Sequence, residues 1–117
     1  MSADGFVYVT NAKSVPPDGL YRFELDGTVR ILVRADDAFY ALSGICTHEE
    51  AELCEGEIEG RTLWCPLHSA GYDVPTGEVT SPPAETPLAT YQVEVRDGAI
   101  YVSKECINAR ELSKENE

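Results

Sequence analysis

The chain has 117 residues, enough for one domain with a modest core but too few for a substrate-binding domain beside a cofactor domain. Its 21 acidic and 9 basic side chains give a formal net charge of -12, which argues against binding to nucleic-acid phosphates or anionic membranes and favours basic partners. The sequence has neither an apolar run of about 18 residues nor a secretory signal, so we expect a cytoplasmic protein.

Short runs rich in β-branched and aromatic residues recur along the chain, each closed by a turn signal, and they predict an all-β fold. The predicted strands cover residues 6–10, 20–25, 28–33, 38–42, 61–64, 89–96 and 99–103. Glycine-containing pairs between such runs favour tight antiparallel hairpins. These pairs are Asp26-Gly27, Glu59-Gly60 and Asp97-Gly98.

The predicted strands alternate apolar and polar side chains, so each should bury one face. In one of them Tyr91, Val93 and Val95 alternate with polar residues, which predicts that these three point inward. A small antiparallel sandwich or barrel is an economical way to bury such faces.

Residues 43–87 depart from the strand pattern, because they are rich in glycine and hold five of the seven prolines. They predict a loop-rich cofactor-binding subdomain, about residues 43–87, inserted into a single domain of residues 1–103. Residues 104–117 are strongly polar and form a predicted C-terminal tail, whose few apolar residues would suit a short helix or a frayed end.

The candidate ligands lie in two short motifs, Cys46-Thr47-His48 and Cys65-Pro66-Leu67-His68. In a reducing cytosol such cysteines favour metal ligation over disulfides. Each motif offers one thiolate and one imidazole, and that symmetry suits two metal ions better than one.

Two iron ions match this donor set. Thiolates stabilise ferric iron, whereas neutral imidazoles tolerate ferrous iron, so two Cys on one iron and two His on the other would localise an added electron on the His-ligated iron. Two ferric ions, two sulfides and two thiolates carry no net charge, so we expect a higher reduction potential than with four thiolates.

The two motifs and their spacing resemble the Rieske family over about residues 6–103. Further details are similar to the small Rieske ferredoxins that feed bacterial aromatic-ring dioxygenases. These details are the strand 38–42 before the first ligand motif, the segment 71–77, Ser81-Pro82-Pro83 and the hairpin 93–102. The resemblance implies the Rieske fold and one 2Fe-2S cluster held by Cys46, His48, Cys65 and His68.

The same resemblance implies a function. The chain would be a monomeric one-electron carrier between an NAD(P)H-dependent reductase and a terminal oxygenase, which dock transiently near the exposed His48 and His68. The carrier itself would not be an enzyme, and no dinucleotide fingerprint or further histidine argues otherwise. An apolar rim would surround the imidazoles and consist of Pro66, Leu67, Ala70, Pro82 and Pro83.

Departures from the high-potential respiratory Rieske proteins predict a low reduction potential. Ala51 and Leu67 replace their disulfide-linked cysteines, and Ala70 replaces a serine that donates to a cluster sulfur. Tyr72 matches a tyrosine that bonds a ligand cysteine there. We expect a potential at or somewhat above roughly -150 mV, lowered further by the negative charge of the chain.

Alternative interpretations of the site stay open. Cys2His2 is a common zinc set, although classical zinc spacing pairs Cys with Cys and His with His. The four residues could also be ordinary surface histidines and core cysteines. A Rieske-like domain could instead be the permanently bound small subunit of an assimilatory nitrite reductase, or a sensor without an electron-transfer task.

Other features near the motifs have both plain and functional interpretations. Cys54 and Cys106 match no ligand position and are expected to be ordinary thiols. Trp64 would be a core or cluster-shielding side chain. A group of acidic residues follows the first motif and forms either a solvated loop or a docking surface for basic partners. Its members are Glu49, Glu50, Glu52, Glu55, Glu57 and Glu59.

Overall fold

The computed structural model describes residues 5–35, 38–45, 52–65, 70–81 and 87–107, and most of these residues lie in β-strands. The strands are β1 (Phe6–Asn11), β2 (Leu20–Leu25), β3 (Thr28–Ala35), β4 (Ala38–Ser43), β5 (Glu57–Glu59), β6 (Thr62–Trp64), β7 (Gly71–Asp73), β8 (Val79–Ser81), β9 (Thr90–Arg96) and β10 (Ala99–Cys106). Short 3-10 helices cover Ala12–Ser14 and Leu53–Glu55. Within the described ranges no helix has the length and apolar character needed to cross a membrane.

Six strands form an antiparallel sheet in the order β1-β10-β9-β4-β3-β2, which curls into a nearly closed barrel. The hairpin between β2 and β3 turns at Asp26 and Gly27, which have φ angles of 56° and 78°. The hairpin between β9 and β10 turns at Asp97 and Gly98, with φ angles of 49° and 80°. Two successive residues with positive φ are what a tight hairpin of this twist requires, so the all-β prediction and these two turns are confirmed.

Four shorter strands form a second antiparallel sheet, in the order β5-β6-β7-β8, and we call residues 52–81 around it the lobe. The sequence predicted β6 here, but it did not predict β5, β7 or β8. Each of these three strands has only three residues, which is too short for an alternating pattern to stand out. The predicted turn at Glu59-Gly60 does join two antiparallel strands, β5 and β6.

Strand β3 is buried on both of its faces. Ile31 and Val33 belong to an apolar cluster shared with the lobe, whose other buried members include Leu63 and Tyr72. Leu32, between them, points into a second cluster inside the barrel. Side chains of β3 therefore pack against the lobe on one face and form part of the barrel core on the other, which explains the unbroken Ile-Leu-Val run of this strand.

One predicted inward-facing residue is not buried. Tyr91 and Val93 pack against the barrel cluster, but Val95 is 47% exposed. In the part of the chain that the structure describes, β4 pairs with β9 only at Tyr91 and Thr90, so no described strand lies beside the outer half of β9 on that side. The alternation is present, but the strand extends beyond the part of the sheet that covers it.

The last strand continues past its predicted end at residue 103 to Cys106, and buried Arg30 holds this extension. The Arg30 side chain is 2% exposed. Its two terminal nitrogens donate to the carbonyl oxygens of Ser103 and Lys104 at 2.9 and 3.0 Å, and Nε donates to Thr28 Oγ1 at 3.0 Å. The guanidinium also stacks 3.8 Å from the centre of the Tyr91 ring. Residues 108–117 of the predicted tail lie outside the described residues.

We predict that Arg30→Met lowers the free energy of unfolding by about 2–4 kcal/mol, because it removes a buried guanidinium together with its hydrogen bonds to two part-buried carbonyl groups. Thermal and urea denaturation of the purified protein measure this change. Lys13→Met is the control, because Lys13 is exposed and such a surface change costs within about 0.5 kcal/mol. Equal midpoints for the two variants would contradict the role of Arg30.

Candidate metal centre

Of the four predicted ligands, the described residues contain Cys65. Cys46, His48 and His68 lie outside them. Cys65 follows the end of β6 and is 4% exposed. Its N–H donates to the carbonyl of Ala70 at 2.8 Å, so a backbone hydrogen bond closes the base of the segment 66–69 that holds His68.

The segment 46–51, which holds Cys46 and His48, is closed at its base in the same way. Ile45 and Glu52 form an isolated antiparallel bridge, and the N–H of Leu53 donates to the carbonyl of Gly44 at 2.8 Å. Backbone hydrogen bonds therefore fix the described residues on both sides of segment 46–51 and on both sides of segment 66–69.

The described residues that flank segment 66–69 and precede segment 82–86 lie at one end of the lobe sheet. Glu57 pairs with Trp64, Trp64 with Gly71, and Gly71 with Ser81, so the start of β5, the end of β6, the start of β7 and the end of β8 lie side by side. Segment 46–51 leads towards β5, segment 66–69 joins β6 to β7, and segment 82–86, with the predicted Pro82 and Pro83, follows β8. The strand pairing thus brings the residues that flank segment 66–69 close to the residue that precedes segment 82–86.

Close backbone packing at this end depends on Gly56, just before β5. A Cβ atom at position 56 would lie 2.0 Å from the carbonyl oxygen of Trp64, a distance that no side chain tolerates. The φ angle of Gly56 is -84°, so the requirement comes from space and not from backbone conformation. The Trp64 side chain is half-buried, and a Cβ atom on Gly71 would lie 3.0 Å from its ring.

Ala70 and Tyr72 are completely buried in the same cluster as Cys65. Ala70 provides no hydroxyl group, which is the basis of the predicted low potential, and Tyr72 pairs across the sheet with Leu63. The potential itself stays a prediction.

The acidic residues after the first motif do not all form a loop. Glu57 and Glu59 lie exposed on β5, Glu55 is exposed in the 3-10 helix, and Glu49 and Glu50 lie outside the described residues. Glu52 is different, because its Oε1 accepts a hydrogen bond from Arg22 Nε at 2.5 Å. The Arg22 guanidinium lowers the pKa of the Glu52 carboxyl group through this bond.

The Arg22–Glu52 pair could not be inferred from the sequence, since 30 residues separate the two. Cys54 also contacts it, with Sγ 3.7 Å from Glu52 Oε1. Burial, followed by the Glu52 charge, raises the pKa of the Cys54 thiol. A raised pKa favours the protonated thiol, in keeping with the expectation that Cys54 is an ordinary thiol and not a ligand. Among the described residues no three metal-binding side chains come together.

The sequence matches the Rieske [2Fe-2S] domain family over residues 5–92. A small antiparallel barrel that carries a three-loop lobe, with a buried cysteine at the end of the lobe sheet, agrees with that match. The chain belongs to the Rieske [2Fe-2S] domain family, and its cofactor is a 2Fe-2S cluster of the Rieske type.

Several relatives match most of the chain. Ferredoxin CarAc of Metapseudomonas resinovorans is 37% identical over 98 residues, which cover 83% of this chain and 92% of the relative. The 3-phenylpropionate/cinnamic acid dioxygenase ferredoxin subunit of Photorhabdus laumondii is 35% identical with the same coverage. A chain in the complex of reduced oxygenase and oxidized ferredoxin of carbazole 1,9a-dioxygenase superposes with a TM-score of 0.83 and 34% identity, over 87% of this chain and 95% of that one.

A nitrite reductase small subunit is also similar in fold. The putative NADH-dependent nitrite reductase small subunit of Mycobacterium tuberculosis superposes with a TM-score of 0.77, over 87% of this chain and 96% of that one, but it is only 18% identical. This similarity shows the shared fold alone.

The described residues fit a 2Fe-2S cluster. Cys65 offers a buried sulfur donor, as iron–sulfur ligation requires. The other residues of the buried apolar core around it are aliphatic or aromatic. The closed bases of the two segments would hold the three further donors on short tethers, Cys46 and His48 in segment 46–51 and His68 in segment 66–69. The family match and this donor set favour iron and sulfide over zinc.

We predict that Gly56→Ala reduces cluster content and lowers stability by about 1–3 kcal/mol, because the added methyl group forces β5 away from Trp64. Iron per protein, visible absorbance and the thermal midpoint report the two effects. Gly60→Asn is the control, since Gly60 has a φ of 62° with open space around it and Asn tolerates that conformation. Full cluster content and unchanged stability in Gly56→Ala would show that the close approach is unimportant.

Proposed function

We propose that this protein is a one-electron carrier, the ferredoxin component of a multicomponent aromatic-ring dioxygenase system, and not itself an enzyme. The observation that carries this proposal is the match to ferredoxin components over 92% of their length. The aligned residues thus span nearly the whole length of these ferredoxin components.

The cluster ligands in this proposal are Cys46, His48, Cys65 and His68. Their support is the motif spacing, the burial of Cys65 and the backbone closure at the base of each segment. A bound 2Fe-2S cluster supplies the one-electron chemistry. The two thiolates would hold one iron, and the neutral imidazoles of His48 and His68 would hold the other and face solvent as the electron port.

The proposed partners are a terminal oxygenase and an NAD(P)H-dependent reductase, which dock in turn near His48 and His68. A ferredoxin similar to this chain is found in complex with the oxygenase of carbazole 1,9a-dioxygenase. Redox complexes of this kind are small and transient. We also propose that the protein is monomeric and cytoplasmic and binds neither nucleic acid nor membranes, in keeping with its charge of -12.

Exposed Glu55, Glu57 and Glu59 would assist docking. They lie on and before β5, whose first residue pairs with Trp64, next to the ligand Cys65. Acidic side chains at this place would steer the carrier towards basic surfaces on its partners. The permanently bound nitrite reductase subunit is less well supported, because its similarity is confined to the fold.

We predict that His48→Ala and Cys65→Ala abolish the cluster, because each removes one of four ligands. Visible absorption and low-temperature electron paramagnetic resonance of the dithionite-reduced protein measure the outcome. Cys54→Ser should retain the wild-type spectrum with the low average g value of a His-ligated 2Fe-2S centre. Loss of the cluster in Cys54→Ser would refute the ligand set, and a colourless wild-type protein with stoichiometric zinc would refute the function.

We predict that the second-order rate constant of electron transfer to the partner falls as ionic strength rises from about 0.01 to 0.2 M, because salt screens the attraction between oppositely charged surfaces. Stopped-flow kinetics with a ferredoxin-dependent oxygenase measure this slope. Glu57→Gln with Glu59→Gln should flatten it, whereas Glu94→Gln on β9 should not. A slope that is the same in all three proteins would show that the β5 acids are merely solvated.

A further inference from the structure

We infer that Arg22 is a positioning residue for the electron-transfer site: through its ion pair with Glu52 it fixes the exit of the first ligand segment and balances the charge there. This inference rests on the proposed function, which assigns Cys46 and His48 of that segment to the cluster. It gives a role to a barrel residue outside both ligand motifs.

The Arg22–Glu52 pair connects two separate elements. Arg22 lies on β2 of the barrel, and its Nε donates to Glu52 Oε1 at 2.5 Å. Glu52 is the residue at which segment 46–51 rejoins the described chain, through its bridge to Ile45. The side chain of Arg22 therefore attaches the end of the ligand segment to the barrel wall.

Backbone groups hold the exit of segment 46–51 through the Ile45–Glu52 bridge and the hydrogen bond from the Leu53 N–H to the Gly44 carbonyl. The Arg22–Glu52 ion pair adds a side-chain attachment at the same point. The thiol of Cys54 adds a hydrogen bond to the same Glu52 oxygen at 3.7 Å. Because one carboxylate receives both Arg22 and Cys54, movement of Glu52 would loosen the segment and the 3-10 helix together.

The pair also sets the local charge. Glu52 is four positions beyond His48, in a chain whose net charge is -12, and Glu55 and Glu57 follow it. An added electron is disfavoured by uncompensated negative charge nearby. Arg22 offsets the charge of Glu52, so its presence should raise the reduction potential relative to a protein in which Glu52 stands alone.

A second ion pair in the same protein provides a matched control. Arg96 Nε donates to Glu94 Oε1 at 2.5 Å, with side chains 37% and 48% exposed, against 39% and 41% for Arg22 and Glu52. Arg96 and Glu94 lie two residues apart on β9, so their ion pair stays within one strand, although the Arg96 guanidinium also stacks on Tyr101 of β10. Arg96 is also distant from the first ligand segment. It lies six residues along β9 from Thr90, about 20 Å away, and Thr90 pairs with Leu42 just before that segment.

The experiment measures reduction potentials and electron paramagnetic resonance spectra of cluster-loaded variants. Arg22→Gln should shift the potential to more negative values and Glu52→Gln to more positive values. The double variant should return to near the wild-type potential, because its net charge is unchanged. Its electron paramagnetic resonance lines should nevertheless be broader than those of the wild type, because the ligand segment is held less firmly. Arg22→Lys should restore the potential, since it restores the charge, while Arg96→Gln and Glu94→Gln should leave both readouts close to wild type.

Thermal midpoints separate positioning from general destabilisation. Exposed ion pairs contribute little to global stability, so Arg22→Gln and Arg96→Gln should unfold at similar temperatures. If Arg22→Gln shifts the potential no more than Arg96→Gln, or if Arg22→Lys shifts it as far as Arg22→Gln, the inference is wrong. A wild-type protein without a 2Fe-2S signal would instead overturn the proposed function, so the two failures can be told apart.

Discussion

Burial of β3 on both faces is the constraint on which the rest of the structure depends. Ile31 and Val33 pack against the lobe, while Leu32 packs inside the barrel. Because consecutive side chains of a strand point to opposite sides, a shift of β3 by one residue would exchange the two cores. The register of β3 with its neighbours therefore fixes where the lobe sits on the barrel, and with it the end of the lobe sheet from which the ligand segments extend.

Most of the barrel could be predicted from the sequence, because its strands are long enough to show alternation and its hairpins carry diagnostic turn pairs. Asp26-Gly27 and Asp97-Gly98 are examples, since both residues of each pair adopt positive φ. Three of the four three-residue strands of the lobe, β5, β7 and β8, could not be predicted. Their pairing depends on tertiary packing, as the contact of Gly56 with Trp64 shows.

The site was predicted unevenly for a related reason. Two motifs specify thiolate and imidazole donors through residues that are neighbours in sequence, so their chemistry can be inferred without a structure. The Arg22–Glu52 pair joins residues 30 positions apart and becomes visible only when β2 and the lobe are placed together. The same is true of Arg30, whose bonds to Ser103 and Lys104 span more than 70 positions and continue β10 into the predicted tail.

The closure of the segments at their bases has a consequence for how such a protein can change. The bonds that close them, between Ile45 and Glu52 and between Cys65 and Ala70, run from backbone to backbone. Backbone groups are the same for nearly every residue type, so substitutions inside the segments leave the closing bonds in place. Redox tuning and partner choice can then diverge among descendants of one ancestor while the scaffold beneath them is inherited unaltered.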